Sequence, residues 1–203
     1  KIPTAVNTKN LDLISEEDAQ YSQIGKVVDL RNIPFSTIDP ATCKDMDDAI
    51  CSTFDENGDI VCYTAVANVT KYVNLNSKIG KNYIAGGFTI YAPNKAYNIL
   101  PTKLSTGICS LNPGEDRLAF VVKTVIDKET GKAKESKIYD AIIRSRHKYA
   151  YEDAQKIVDD FGDDFVKETL QYKALRGIEF TDEEQIVMNK YAAQMMWKGF
   201  DQR

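Results

Sequence analysis

The chain has 203 residues, enough for one domain of ordinary size or two small ones, and its 43% hydrophobic share suits a globular core. Its 26 basic and 30 acidic side chains give a net charge of −4. That argues against a freestanding non-specific nucleic-acid binder, but leaves open an enzyme that meets a polyanion through bound metals and a local basic patch. Cys43, Cys51, Cys62 and Cys109 form no C-x-x-C pair and the chain has a single His, so a zinc site is not expected. Reduced, partly buried thiols predict a reducing, cytoplasmic compartment. No apolar run reaches about 18 residues, so neither a membrane span nor a membrane partner is expected. The opening on Lys1, with no visible signal peptide, leaves room for an upstream segment.

Residues 1–23 are polar and without a clear period, and read as a linker or the remnant of a preceding domain. The stretch from Asn10 to Asp18 is expected to make one short helix or stay loose. Ile24 to Leu30 reads as a short strand, and Pro34 and Pro40 punctuate the chain beyond it. Ala49–Phe54 and Ile60–Val69 read as two strands joined at Asn57-Gly58, a strong hairpin signal. The second is apolar on both faces, as in a central strand buried on two sides. Asn76-Ser77 predicts the start of a short helix to about Ile84, closed at Gly86-Gly87. Phe88 to Ala92 reads as extended, Thr102 to Thr106 as one helical turn, and Asn112-Pro113-Gly114 as a turn. Arg117–Asp127 and Lys137–Arg146 form the next antiparallel pair, with Gly131 in the loop between. The rest is helical. Ala154, Ile157, Val158 and Phe161 follow an amphipathic spacing, and a second helix over 163–175 puts Phe165, Val166, Thr169 and Leu170 on one face. Thr181 and Glu184 make a capping box for a third, whose core face is Met188, Tyr191, Ala192 and Met195.

One short stretch carries most of the chemical information. Asp39, Asp45, Asp47 and Asp48 fall within ten residues, with Lys44 the one basic residue inside the run. Clustered carboxylates repel one another and are costly to desolvate, so the surplus negative charge asks for a cation. Aspartate oxygens are hard ligands of the kind Mg²⁺, Mn²⁺ and Ca²⁺ accept. The run lacks the D-x-D-x-D-G frame and closing glutamate of an EF-hand. On composition alone it is an acidic solvated loop, a metal site or a helix-capping cluster.

The flanking blocks resemble the catalytic domain of the ribonuclease II and ribonuclease R family, the RNB domain. They are Asp29-Leu-Arg31 with Pro34-Phe35 and Thr37-Ile38-Asp39-Pro40, Lys44 to Ile50, and Val66 to Val73 with Ser77. Tyr91-Ala-Pro93 with Leu100-Pro101 and Leu104-Ser105, Ile108 to Ala119, and Ile143 to Arg146 with Tyr151-Glu152 complete the set. They cover about residues 24–155 in the family's order. The resemblance implies an α+β domain with a mixed, mainly antiparallel sheet and a helical C-terminal third. It implies a hydrolytic exoribonuclease that degrades single-stranded RNA from the 3′ end to nucleoside 5′-monophosphates. Asp39, Asp45, Asp47 and Asp48 match the family's four positions that hold divalent metal, usually Mg²⁺ with Mn²⁺ an alternative. Two metals of that kind generate hydroxide and stabilise the leaving 3′ oxygen. Tyr91 and Tyr151 match tyrosines that contact the RNA near its 3′ end, where stacking is sequence-tolerant; core packing is the competing role. Arg117, Arg144 and Arg146 are candidates for phosphate contacts or for ordinary surface ion pairs.

The chain departs from the family at Asn68, where Asp is usual, and at Gly86-Gly87, where Arg-Gly is usual. The later Ser-Pro-Ile-Arg-x-Tyr segment, whose arginine assists phosphate chemistry, does not occur here, nor do the flanking cold-shock and S1 domains. The expectation is a partial or short RNB domain, with the remaining C-terminal part of that domain among its partners beside single-stranded RNA. A non-catalytic RNB scaffold or RNA-binding module is the alternative.

Overall fold

The computed structural model describes residues 2–19 and 25–201. Strands β1 (Asp12–Ile14), β2 (Lys26–Asp29), β3 (Ser36–Asp39), β4 (Asp48–Phe54) and β5 (Ile60–Ala67) precede helix α1 (Lys78–Gly86). A small hairpin of β6 (Ile90–Ala92) and β7 (Lys95–Tyr97) comes next, then β8 (Asp116–Ile126), β9 (Ala133–Arg144) and β10 (His147–Ala150). Helices α2 (Tyr151–Asp159), α3 (Asp163–Phe165), α4 (Gln171–Leu175) and α5 (Asp182–Asp201) complete the chain. The main sheet runs β1-β2-β9-β8-β5-β4-β3-β10. Its long pairings are antiparallel, and β1–β2, β2–β9 and β3–β10 are parallel. The expected mixed, mainly antiparallel α+β architecture is what forms.

Two connections force this sheet to curl. β9 and β10 lie five places apart in it, yet only Ser145 and Arg146 join them. Three Cα steps reach at most about 11 Å, whereas five strand spacings in a flat sheet would need about 24 Å. The backbone confirms the closure: Arg146 N–H donates to Phe35 O at 2.7 Å, just before β3. The inside of the curl is filled by alternate residues of successive strands, among them Val28, Ala49, Cys51, Tyr63, Ala65, Val121, Tyr139 and Ala141. Phe35 meets Tyr63 edge-on there, with ring centroids 6.3 Å apart.

Helices cover one end of the outer face. Phe54, Ile60, Cys62 and Ile126 pack against Val166, Leu170, Met188, Tyr191, Ala192 and Met195. The two-sided burial expected of β5 therefore holds for its first half only. Ile60, Val61, Cys62 and Tyr63 are buried, but Val66 on the uncovered outer face is 48% exposed. The capping box forms reciprocally, Glu184 N–H donating to Thr181 Oγ1 at 3.2 Å and Thr181 N–H to Glu184 Oε2 at 2.9 Å. α5 crosses the β8–β9 turn at a glycine contact. A Cβ on Gly131 would lie 2.1 Å from Met195 O and one on Gly199 2.1 Å from Gly131 O, so neither position admits a side chain.

Several segments differ from the sequence reading. Asp12–Ile14, expected as helix or loose chain, is an edge strand, because alternating Leu13 packs beneath the sheet beside Val27, Leu118 and Ile142. The strand read from Ile24 spans Lys26–Asp29; Ile24 itself, residues 20–23 of the expected linker, and Gln202 and Arg203 at the expected helical end lie outside the described residues. The second strand stops at Ala67, where Asn68 turns the chain into a short helical turn. The extended piece after Phe88 is half of a hairpin that turns back at Pro93-Asn94. The turn near Thr102 extends through a widened helical turn over Leu104–Ile108, and β9 begins earlier than expected, at Ala133. All four cysteines are free thiols, and no helix among the described residues is long and apolar enough to cross a membrane.

Candidate active site

The four aspartates gather at one end of the curled sheet. β3 and β4 run antiparallel, so the last residue of β3, Asp39, and the first of β4, Asp48, fall at the same edge, joined by the loop that carries Asp45 and Asp47. Within Asp45-Met46-Asp47-Asp48-Ala49 the hydrophobic members point inward: Met46 is 4% exposed and Ala49 1%. Burying one methionine stabilises such a loop by about 1.5–3 kcal/mol, and the two inward side chains leave Asp47 and Asp48 between them exposed.

The loop is then pinned through its backbone. Met46 N–H donates to Ser110 Oγ at 3.0 Å, Leu111 N–H to Met46 O at 2.9 Å, and Ala67 N–H to Asp47 O at 2.9 Å. Ser110 Oγ in turn donates to Lys44 O at 3.2 Å. Behind Ser110 stands Arg117, whose Nε donates to Ser110 O at 2.7 Å and which ion-pairs with Glu115. On the far side, Lys148 Nζ donates to the carbonyls of Ala41 and Cys43. Arg117 is thus neither a phosphate contact nor a surface pair; it is 3% exposed and braces the loop. Arg144 pairs with Asp116 in a network that includes Arg31 and Asp29. Sequence reasoning missed Ser110, Arg117 and Lys148 as supports. The available signal was the Ser110 and Arg117 pair inside one resemblance block.

No Lys or Arg among the described residues ion-pairs with Asp39, Asp45, Asp47 or Asp48. Asp39 Oδ2 is buried without a hydrogen-bond partner. Partial burial, followed by the charges of Asp45, Asp48 and Asp39, raises the Asp47 carboxyl above its ordinary range. Asp48 is raised by burial and then by Asp39. The Cys43 thiol has its one proton within reach of either Asp39 Oδ1, 3.6 Å from Sγ, or Asp45 Oδ1, at 3.5 Å, and burial, with those charges adding, pushes it up to about 11. Among the described residues no three His, Cys, Asp or Glu side chains are already gathered as a metal-holding group. The donor set nonetheless fits a hard dication in its chemistry: all-oxygen, uncompensated, with one orphaned carboxylate oxygen.

Both tyrosines flank this edge. Tyr91, on β6, is 74% exposed, and its hydroxyl is raised first by the charge of Asp45, then by slight burial and by Cys43 and Asp47, which places it in the field of the cluster. Tyr151 opens α2 directly after Ala150, the residue in register with Asp39, and is 56% exposed. Neither packs in a core. Asn68, the departure from the family's Asp, is 1% exposed; its Nδ2 donates to Asp140 Oδ1 at 3.2 Å and its Oδ1 accepts from Thr70. An aspartate there would face Asp140 with no proton to donate.

Set beside known proteins, this arrangement has a family. The RNB domain profile matches residues 27–195. Ribonuclease R of Aquifex aeolicus is 37% identical over 150 residues, covering 74% of this chain and 21% of that protein. Among solved structures, Mycoplasma genitalium RNase R in complex with double-stranded RNA superposes with a TM-score of 0.70 at 27% identity, over 92% of this chain and 31% of that one. Yeast Ssd1, described as a pseudonuclease, shares the fold at a TM-score of 0.59 and 14% identity, over 85% of this chain and 19% of that one. The chain belongs to the RNB-domain family, and it spans about a fifth of the length of the curated relative it matches.

Proposed function

We propose that this chain is the metal-holding part of a divalent-metal-dependent exoribonuclease that hydrolyses single-stranded RNA from the 3′ end and releases nucleoside 5′-monophosphates. The observation that carries the reading is the uncompensated carboxylate cluster: Asp45 and Asp47 on a loop pinned through its backbone, between Asp39 at the end of β3 and Asp48 at the start of β4, with Asp39 Oδ2 buried and unpartnered. Asp39, Asp45, Asp47 and Asp48 would hold Mg²⁺ or Mn²⁺ once their side chains rotate toward one another. When bound, such ions lower the pKa of attacking water and offset the charge at the phosphate and the leaving oxygen. The chain's own residues do the rest. The pinned backbone keeps the carboxylates in place against their repulsion, and Tyr91 and Tyr151 offer exposed rings to the terminal bases. The same reading puts the protein in the cytoplasm, beside the RNA.

The second reading is a non-catalytic RNB module. It is favoured by the absence, among the described residues, of a gathered metal-holding group, and the fold is shared with a pseudonuclease.

Calorimetry with Mn²⁺ separates the two. The enzyme reading expects saturable binding that Asp47→Asn/Asp48→Asn removes; no difference between variant and wild type overturns it. With 5′-labelled single-stranded RNA and Mg²⁺, a longer chain containing this domain should shorten the substrate from the 3′ end, and Asp47→Asn should abolish this.

A further inference from the structure

The hairpin that presents Tyr91 has a second face. In the β6–β7 register Ile90 opposes Tyr97, while Tyr91 opposes Ala96. Side chains alternate along a strand, so Tyr91 lies on one side and Ile90 and Tyr97 on the other. That reverse side opens onto a cavity of about 590 Å³ lined by Ile79, Asn82, Phe88, Ile90, Lys95 and Tyr97, among others. Tyr91 does not line it. The large side chains there stand in solvent: Phe88 is 70% exposed, Tyr97 56% and Ile90 55%. Lys95 Nζ sits 4.9 Å from the centre of the Tyr97 ring, a cation–π pair on the same face.

The charge around this cavity is one-sided. Residues 60–114 contain five lysines and not one Asp or Glu, in a chain whose net charge is −4. Of these, Lys95 on β7 lines the cavity, Lys78 and Lys81 on α1 and Lys103 beyond the hairpin are exposed on the neighbouring segments, and none of the four pairs with a carboxylate among the described residues. Exposed aromatic rings beside uncompensated lysines are what a single-stranded nucleic acid requires: π faces for unpaired bases and cations for the backbone. A duplex hides its base faces, and an apolar protein partner would leave the four lysines unanswered.

We propose that the reverse face of the β6–β7 hairpin is a second binding site for single-stranded RNA. Bases stack on Phe88 and Tyr97, and Lys95 meets a phosphate. The site is separate from the contact of Tyr91 beside the aspartates, so one hairpin touches RNA on both sides. Taking RNA as the polymer rests on the proposed function; the face and its charge do not.

Fluorescence anisotropy of a labelled twelve-nucleotide single-stranded RNA, measured in EDTA across a salt series, tests this without turnover. The result therefore stands whether or not the aspartates hydrolyse RNA. Phe88→Ala/Tyr97→Ala is expected to weaken binding at least about fivefold, given about 1–3 kcal/mol per stacked base. Lys95→Glu is expected to reduce the slope of log K against log salt by at least about 0.7. Lys167→Glu, on the helical layer, should change neither. Circular dichroism confirms that each variant is folded. Unchanged affinity and slope in both hairpin variants would overturn the proposal. So would a loss confined to Lys95→Glu that inorganic polyphosphate shows equally, because it would mark an unspecific anion site.

Discussion

The aspartate loop and the β6–β7 hairpin stand side by side and are built in opposite ways. The loop concentrates like charges, and it is tied to the rest of the chain through its backbone, by Ser110, Leu111 and Ala67 on one side and by Lys148 of β10 on the other. The hairpin concentrates aromatic rings and lysines, and all six of its strand residues are exposed. Its neighbour α1 buries only Gly80. The difference comes from what each must oppose. Carboxylates crowded together push apart, so their geometry survives only if the backbone is fixed independently of them. Stacking and phosphate contacts tolerate sliding and rotation, so a thinly packed element suffices.

The sharpest way to break this contrast is to remove the brace while leaving the charges. Arg117→Ala deletes a buried guanidinium that holds Ser110 O and pairs with Glu115. It is expected to cost about 3 kcal/mol, because it strands a buried carbonyl and leaves a cavity. Urea unfolding reads this directly, and a loss under about 1 kcal/mol would show that the brace is dispensable. Ser110→Ala is the milder form. It leaves the Met46 N–H without its acceptor and is expected to cost about 1–2 kcal/mol. It should also weaken Mn²⁺ binding by calorimetry although no ligand has changed; unaltered affinity would mean the loop holds itself. By contrast, Phe88→Ala/Tyr97→Ala should stay within about 0.5 kcal/mol of wild type, since those rings are exposed and the one contact of Tyr97 with Lys95 lies in solvent.

Legibility in the sequence divides along the same line. Periodicity placed the C-terminal helices, because they bury one face against the core, while turn and cap residues placed the β4–β5 hairpin and α1, because those signals are local. Ser77 does cap α1, accepting from Gly80 N–H at 3.1 Å, and Gly87 closes it with φ of 74°. The curl of the sheet was not legible, since it depends on β10 pairing with β3 across more than a hundred residues. β1 was missed because three residues of edge strand carry too little pattern. At the candidate site, the aspartates are proposed from charge density and resemblance, and the tyrosines from resemblance. Ser110 is not: its role is to accept from a backbone N–H 64 residues away. Nothing local marks a serine for that task, or an arginine for bracing it. Arg117 reads from sequence as a phosphate contact or a surface ion pair, because an exposed arginine serves in either way.

A small effect of the opposite sign concerns the repulsion itself. The Asp47 carboxyl is raised above its ordinary 3.8 by partial burial and by Asp45, Asp48 and Asp39. A raised folded-state pKa means that the native state holds this proton more firmly than the unfolded chain does. Stability from this group therefore falls as pH rises from about 4 through the folded value, and at pH 7 the ionised carboxylate is a net cost. Asp47→Asn removes that cost. In EDTA at pH 7 the variant is expected to be slightly more stable than wild type, by less than about 1 kcal/mol because the side chain is solvent-exposed and screened. The difference should vanish below about pH 4, where the wild-type carboxyl is protonated and resembles the amide. Adding Mn²⁺ should reverse the order, since a dication stabilises the native state only where its ligands remain. Thermal unfolding of the two proteins at pH 7 and pH 4, with and without Mn²⁺, gives the four comparisons. A variant less stable than wild type at pH 7 in EDTA would show that Asp47 is held by an attraction, not in spite of a repulsion, and that the cluster does not need a cation.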